Sequence, residues 1–372
     1  MPDPQPLPGA IRAGQEWCRV IVRFAHETLP QRVVFASFEA AEHVAEEMAR
    51  LGASRAMVIA AEAESALADP LAAALPVAVR HTEVVMHVPG DVAERARKAA
   101  GEHDADVLVS VGGGSATGLA KAVALTTGLP IVAVPTTYAG SEATNVWGLT
   151  EGGRKTTGTD ARVLPRAIVY DASLMLSLPV PLSVASGLNA LAHCVDSMWA
   201  PRTDPVDQAL ALEGIRALRD GLPRVVRDPQ GIEGREQTLY GAWMAAVAFA
   251  SAGSGLHHKI CHVLGGMYNL PHAQTHAVVL PYVLALNAPS VPDSEQRMAA
   301  AFGAASALDG LQRLREQMEA PRALRDYGLR ETGIPAAVDA ILAALPPGNP
   351  TPVTAANLEE LIRRACQGRE PR

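Results

Sequence analysis

Five short apolar runs punctuate the first half of the chain: "RVVFA" at 32–36, "RAMVIAA" at 55–61, "EVVMHV" at 83–88, "VLVSV" at 107–111 and "PIVAVPTT" at 130–137. Each is rich in β-branched residues and lacks helical spacing, which predicts a buried strand. Between them, "EAAEHVAEEMARLG" at 39–52 and "GDVAERARKAAGEHDA" at 90–105 place apolar residues three and four apart. That spacing predicts amphipathic helices, the first stopping at Gly52. "VLVSVGGGSATGLAKAVALTTG" at 107–128 reads as strand, turn and helix. Strands alternating with helices predict parallel βαβ units and a nucleotide-capable α/β domain.

After Pro179 the pattern is helical throughout. Helices are predicted around "LNALAHCVDSMW" (188–199), "DQALALEGIRALRDGLPRVV" (207–226), "QTLYGAWMAAVAFASAG" (237–253) and "HAVVLPYVLALNAP" (276–289). "EQRMAAAFGAASALDGLQRLREQMEA" (295–320) and "NLEELIRRACQ" (357–367) complete the set. The expected organisation is a loose, Pro-rich tail over 1–22, an α/β dinucleotide-binding domain over 23–178 and an all-α substrate domain over 179–372.

Composition narrows the function. The chain has 372 residues, 48% of them hydrophobic but only 4% aromatic, so Ala, Val and Leu must fill the cores. The net charge is −7, with no Lys/Arg run and no basic-aromatic interleaving, which argues against a nucleic-acid partner. A small anionic substrate would need a local cationic pocket. The four cysteines, Cys18, Cys194, Cys261 and Cys366, form no CxxC pair and are expected to be reduced thiols of a cytoplasmic protein. No signal peptide or membrane-spanning segment is expected.

Three stretches carry chemistry. In the first, Gly112, Gly113 and Gly114 turn the chain and Ser115 opens a helix. Such a turn offers free N–H groups and a positive helix end to a phosphate, or is simply a tight strand-helix junction. The spacing matches neither GxGxxG nor a Walker A motif. In the second, Thr136, Thr137, Tyr138 and Ser141 follow a strand and present hydroxyls where α/β sheets bind ligands, or they form an ordinary polar loop. The third is a histidine set. Asn189 and His193, His258 and His262, and His272 and His276 are each four apart, so each pair shares a helix face. His257 should point about 100° from His258, and either one faces inward.

These motifs together resemble the iron-containing alcohol dehydrogenase superfamily from about His26 to the C-terminus. The resemblance rests on "GGGS" at 112–115, "PTT…GSE" at 135–142, "GLNALAHCVD" at 187–196 and "HKICHVLGGMYNLPHAQTH" at 258–276. It implies a dehydroquinate synthase-like architecture, with an α/β dinucleotide-binding domain, an all-α domain, and the substrate between them. It also implies that NADH or NADPH is held by Gly112, Gly113, Gly114, Ser115, Thr136, Thr137, Ser141 and Lys155. Metal-dependent members hold an ion with an Asp and three His. The matching positions here are Asn189, His193, His258 and His272, so the only anionic ligand is missing and no metal is expected.

"PTTYAGSE", "VWGLTEGGRKTTG", "RVLPRAIVYD" and "HHKICHVLGG" are similar to the branch that reduces maleylacetate to 3-oxoadipate in aromatic-compound degradation. That branch implies hydride addition to an alkene conjugated to a ketone, with hydrogen-bond donors carrying the enolate in place of a Lewis acid. His193, His258, His272 and Tyr138 are the expected catalytic groups, with Asn189, His257 and His262 beside them. Lys155, Lys259 and Arg162 are candidate cations for the dianionic substrate, and Glu62 is a candidate for an adenosine ribose. A homodimer and no membrane partner are expected. The alternatives are a metal-dependent alcohol or polyol dehydrogenase that tolerates Asn189, and a non-enzymatic ligand binder on the same fold.

Overall fold

The computed structural model describes residues 23–151 and 154–372; the tail expected over 1–22 lies outside them. The α/β part runs β1 (Arg32–Phe35), α1 (Ala40–Arg50), β2 (Ala56–Ile59), α2 (Ser65–Ala73), β3 (Val77–His81), α3 (Gly90–Glu102), β4 (Val107–Gly112), α4 (Gly114–Thr127) and β5 (Ile131–Pro135). A hairpin of β6 (Val146–Glu151) and β7 (Arg154–Thr159) follows, then β8 (Ala167–Tyr170). From Val180 onward the long elements are all helices: α5 (Val180–Ser197), α6 (Pro205–Arg227), α7 (Ile232–Ala252), α8 (Leu256–Tyr268) and α9 (His272–Asn287). The last four are α10 (Pro292–Phe302), α11 (Ala307–Gln317), α12 (Ile334–Ala344) and α13 (Ala355–Gln367).

Six strands form one parallel sheet in the order β1-β8-β5-β4-β2-β3. Strand side chains alternate between faces, which explains why these runs are apolar throughout. Val58, Val107, Val109, Val132 and Val134 pack against α1 and α2, whereas Met57, Ile59, Leu108 and Ile131 pack against α3 and α4. The chain leaving β2 therefore goes to one face and the chain leaving β4 to the other. The carboxyl ends of these neighbouring strands form a switch point, where open α/β sheets bind ligands.

Two expectations fail in this half. The run at 83–88 is not a strand; the edge strand is β3, one segment earlier. His87 and Val88 have φ of 66° and 48°, and Val85 and Met86 are exposed. This segment is held instead by the hairpin, through Thr150 N–H to the Val88 carbonyl at 3.0 Å and Thr150 Oγ1 to the His87 carbonyl at 2.8 Å. The second failure is the hairpin itself, which lies in a polar, Gly- and Thr-rich stretch that reads as loop. Its partner pairing, Val146 with Thr159 through Glu151 with Arg154, supplies the backbone bonds that composition does not advertise.

The helical expectations hold with one division. The stretch at 295–320 is broken at Gly303, whose φ of 66° ends α10, and Ser306 then caps α11 by accepting from Asp309 N–H at 3.1 Å. Among the described residues no single helix is long and apolar enough to cross a membrane.

The helical half is built on close approach of α6 and α7. A Cβ on Gly221 would lie 2.7 Å from the Thr238 backbone N, and one on Gly241 would lie 3.0 Å from Leu218 N. Glycine there admits the neighbouring helix axis, which outweighs its poor helix propensity. Gly221→Ala is therefore expected to destabilise the protein by roughly 1–3 kcal/mol, although alanine favours an isolated helix. Urea unfolding of the variant checks this; an unchanged or raised midpoint would refute the close-packing account.

Candidate active site

The glycine turn sits at the switch point. Gly112 has φ of 147°, and a Cβ there would come within 2.4 Å of Glu64 Oε2 and 2.9 Å of Ala116 Cβ. A Cβ on Gly113 would meet Thr137 Cγ2 at 3.0 Å. Both positions thus need glycine for contacts inside the protein, while Gly114 is exposed at the first turn of α4. The helix begins at Gly114, one residue before the expected Ser115, and no side chain caps it. Ser115 is half-buried in that first turn, leaving an uncapped helix end of the kind that receives anions.

Glu64 is the residue that the sequence did not single out here. Its carboxyl reaches over from the segment after β2, lies against the glycine turn and accepts from Thr136 Oγ1 at 2.8 Å. Burial raises its pKa. Glu62, the expected ribose contact, is exposed one turn away. Thr137 packs beside Gly113, and the Ser141 carbonyl is tied to Lys121. Lys121 Nζ is fully buried and donates to the Ser141, Thr144 and Val146 carbonyls at 2.6, 2.8 and 2.9 Å. It pins the loop that carries the hydroxyl motif, and burial pushes its pKa down to about 7. A lysine on the buried face of an otherwise apolar helix was its only signal. Lys155 lies on β7, and its side chain is outside the described residues.

The second half of the site is made by three helices. Along α5, Asn189, His193 and Asp196 recur at spacings of four and three and share one buried face. The start of α8 supplies His257 and His258, and the start of α9 supplies His272 and His276. Asp196 joins the first two helices. Its Oδ2 shares a hydrogen bond with His258 Nδ1 at 2.6 Å and accepts from Gly255 N–H at 2.9 Å. A Cβ on Gly255 would lie 2.6 Å from Asp196 Oδ1, so glycine lets the carboxylate approach the helix end. Asp196 acts as a cap supplied by another helix, and it fixes the His258 ring with Nε2 turned away from it.

The imidazoles pack as a cluster. The His193 and His258 rings stack at 5.0 Å, and Phe249 covers both, at 4.6 and 4.2 Å. His258 and His276 are 4.9 Å apart, and His272 and His276 are 4.3 Å apart. His257 Nε2 and His276 Nδ1 share a hydrogen bond at 3.0 Å, with Cys261 Sγ 3.7 Å from His257 Nε2. So both His257 and His258 face inward. His262 is exposed at the edge, its ring 6.3 Å from that of His272. Burial pushes the pKa of His193 and His257 down to about 3 and holds His258 and His276 well below the usual imidazole range. Burial also pushes Asp196 up to about 7.

Two expected residues are placed elsewhere. Tyr138 is fully enclosed in the core, where its hydroxyl accepts from Arg235 Nη1 at 3.4 Å. That places its hydroxyl among core groups instead of among the imidazoles. Arg235, buried and unforeseen, also donates to Ser183 Oγ at 2.6 Å and to the Leu178 carbonyl at 3.1 Å. Arg162 is exposed and clasps Asp160 at 2.7 and 2.9 Å, so it is not free for a substrate. Lys259 is half-buried on α8.

The donor set also bears on a metal. His193 Nδ1, His258 Nε2 and both polar atoms of Asn189 are buried without hydrogen-bond partners. All are neutral. The nearby carboxylate, Asp196, directs Oδ2 at His258 and the end of α8. A divalent ion among these atoms would be held by neutral donors alone, and His257, Cys261 and His276 form a second group of possible ligands beside them.

Two family descriptions match the chain: iron-containing alcohol dehydrogenase over residues 30–172, and the C-terminal part of the Fe-containing alcohol dehydrogenase family over 183–366. A maleylacetate reductase of Sphingobium indicum is 43% identical over 352 residues, covering 94% of this chain and 99% of that protein. A crystal structure of an iron-containing alcohol dehydrogenase from Corynebacterium glutamicum is 59% identical, with a TM-score of 0.93, covering 94% of this chain and 98% of that one. A maleylacetate reductase structure from a Rhizobium species is 41% identical, with a TM-score of 0.88, covering 94% and 99%.

The depressed histidines have a measurable consequence. His257 is neutral in the folded state down to about pH 3, but its ring protonates near its ordinary value once unfolded. Its stability contribution is present above about pH 6.5 and is lost as pH falls toward 3. His257→Gln lacks this titration. The destabilisation that it causes, measured by urea unfolding, is expected to shrink by roughly 1.3 kcal/mol between pH 7.5 and 5.5. An equal penalty at both pH values would mean that the ring titrates in the fold as it does in the unfolded chain.

Proposed function

The chain belongs to the iron-containing alcohol dehydrogenase family, and we infer that it uses NAD(P)H to reduce the carbon–carbon double bond of maleylacetate, giving 3-oxoadipate. The observation that carries this reading is Asn189, a neutral amide within a buried set of unpartnered imidazole donors. Near-full-length likeness to proteins named maleylacetate reductase supports it.

Hydride passes from the reduced nicotinamide to the alkene carbon far from the ketone. The electron pair of the double bond moves toward the ketone, and charge collects on its oxygen as an enolate. A proton then goes to the carbon next to the ketone. The product has gained two electrons and one proton beyond the hydride's own nucleus, and the cofactor leaves oxidised. Neutral donors suit this charge flow, because they stabilise an oxyanion without having to release a tightly held alkoxide. They also suit a substrate with two carboxylates, which an aspartate at position 189 would repel.

His258 is the proposed proton donor. With Asp196 pushed up to about 7 and His258 held low, a proton shared between them rests on the carboxyl below that pH. The ring then carries its own proton on Nε2, the atom without a partner. His193 and His272 are the proposed enolate donors, and Phe249 excludes water from the His193 and His258 rings. The glycine turn would receive the dinucleotide phosphates, and Glu64 would take the ribose. An acidic group beside such a turn accepts from the ribose hydroxyls and repels a 2′-phosphate, which favours NADH.

Protein dialysed against chelator is expected to oxidise NADH with maleylacetate at full rate. Loss of turnover that returns only with added metal would favour the second reading, an alcohol dehydrogenase, which the name of the Corynebacterium protein suggests. His258→Gln should lower kcat by about 10²–10⁴-fold with little change in KM. Glu64→Gln should raise the NADPH-to-NADH ratio of kcat/KM at least about tenfold, roughly 1.4 kcal/mol; an unchanged ratio would remove Glu64 from cofactor selection.

A further inference from the structure

A second group of ligating side chains lies apart from the histidine cluster, where the segment entering β1 crosses the start of α6. His26 Nδ1 is 2.8 Å from Asp204 Oδ2 and 3.7 Å from Asp207 Oδ1. One ligand atom from each of the three residues lies within 4.8 Å of the other two. Asp204 Oδ1 is already engaged as the cap of α6, accepting from Val206 and Asp207 N–H at 2.8 and 3.0 Å. Its other oxygen is turned to His26.

Asp207 is the unusual member. Its side chain is wholly enclosed, and among the described residues neither carboxylate oxygen has a hydrogen-bond partner. The Ser251 hydroxyl beside it favours its charge without closing such a bond. Burial, and then the charge of Asp204, raise its pKa. One imidazole carries at most a single positive charge, so His26 cannot balance two carboxylates. A buried carboxylate in this state needs either a proton or a cation.

We propose that His26, Asp204 and Asp207 form a site for a divalent transition-metal ion, zinc or manganese, separate from the catalytic histidines. One nitrogen and two carboxylate oxygens are a borderline donor set that suits either ion, with the remaining positions open to water. Around an ion with bonds of about 2.1 Å, neighbouring ligand atoms stand about 3.0–3.4 Å apart. The observed 2.8 and 3.7 Å bracket that spacing, so small side-chain rotations suffice. The ion would neutralise Asp207 and staple the segment ahead of β1 to the helical half. This inference stands independently of the substrate assignment.

The test uses the full chain after dialysis against chelator, titrated with MnCl2 or ZnCl2. Bound Mn2+ is counted by electron paramagnetic resonance, and melting temperature is followed for both ions. One equivalent is expected to bind and to raise the melting temperature. Asp207→Asn should raise the melting temperature of the metal-free protein, because it removes the orphaned charge, and should abolish the metal-induced rise. His26→Gln, a change at the partly open side of the site, should weaken binding at least tenfold. His258→Asn should leave binding intact. Absence of binding by the wild type, or binding that survives both Asp207→Asn and His26→Gln, would overturn the proposal. So would binding lost in His258→Asn alone, which would put the ion among the catalytic imidazoles.

Discussion

The carboxylate of Asp196 holds the catalytic half of the molecule together. It is wholly buried at the end of α5, and it faces the open N–H groups at the start of α8 while gripping the His258 ring at 2.6 Å. A charge removed from water is tolerable only where several donors converge on it. Here the donors come from a helix end and an imidazole, and Gly255 gives them room. Position, cap and ring orientation follow from that single contact. His193 then stacks on the oriented His258, and Phe249 closes over both.

His193, His257 and His276 are organised by burial, while His272 is exposed. Five lie within a few ångströms of one another, and repulsion would scatter them if they were charged. Desolvation keeps His193, His257, His258 and His276 neutral, so they pack as aromatic rings that retain hydrogen-bonding nitrogens. Asn189 completes a neutral set. In a family whose name carries iron, neutral donors are gathered where the chain would otherwise need to balance buried charge.

The α/β half applies the same economy of charge with backbone groups. The divergence of the chain after β2 and β4 opens a crevice, and the glycine turn lines it with N–H groups. Glu64 lies against that turn and accepts from Thr136 Oγ1. Lys121, buried among carbonyls, fixes the loop opposite. Both are ionisable groups held by polar neighbours inside an otherwise apolar framework; a lysine on an apolar helix face hinted at Lys121, and hydrophobic spacing carried no sign of Glu64.

Much of this was legible in the chain itself. Unbroken apolar, β-branched runs located most strands of the sheet core and helical spacing the helices after Pro179, since burial acts on neighbouring residues along one element. The glycine turn, and the shared faces of Asn189 with His193 and of His272 with His276, were readable for the same local reason. The edge strand at Val77–His81 was misplaced to 83–88, because an apolar run does not reveal whether a sheet edge is near enough to pair with it. The choice between His257 and His258, the enclosure of Tyr138 by Arg235, the pairing of Arg162 with Asp160 and the reach of Glu64 to the turn were decided only by tertiary structure. Each depends on a partner far away in sequence, and hydrogen bonding and desolvation are set by the distance through space to that partner.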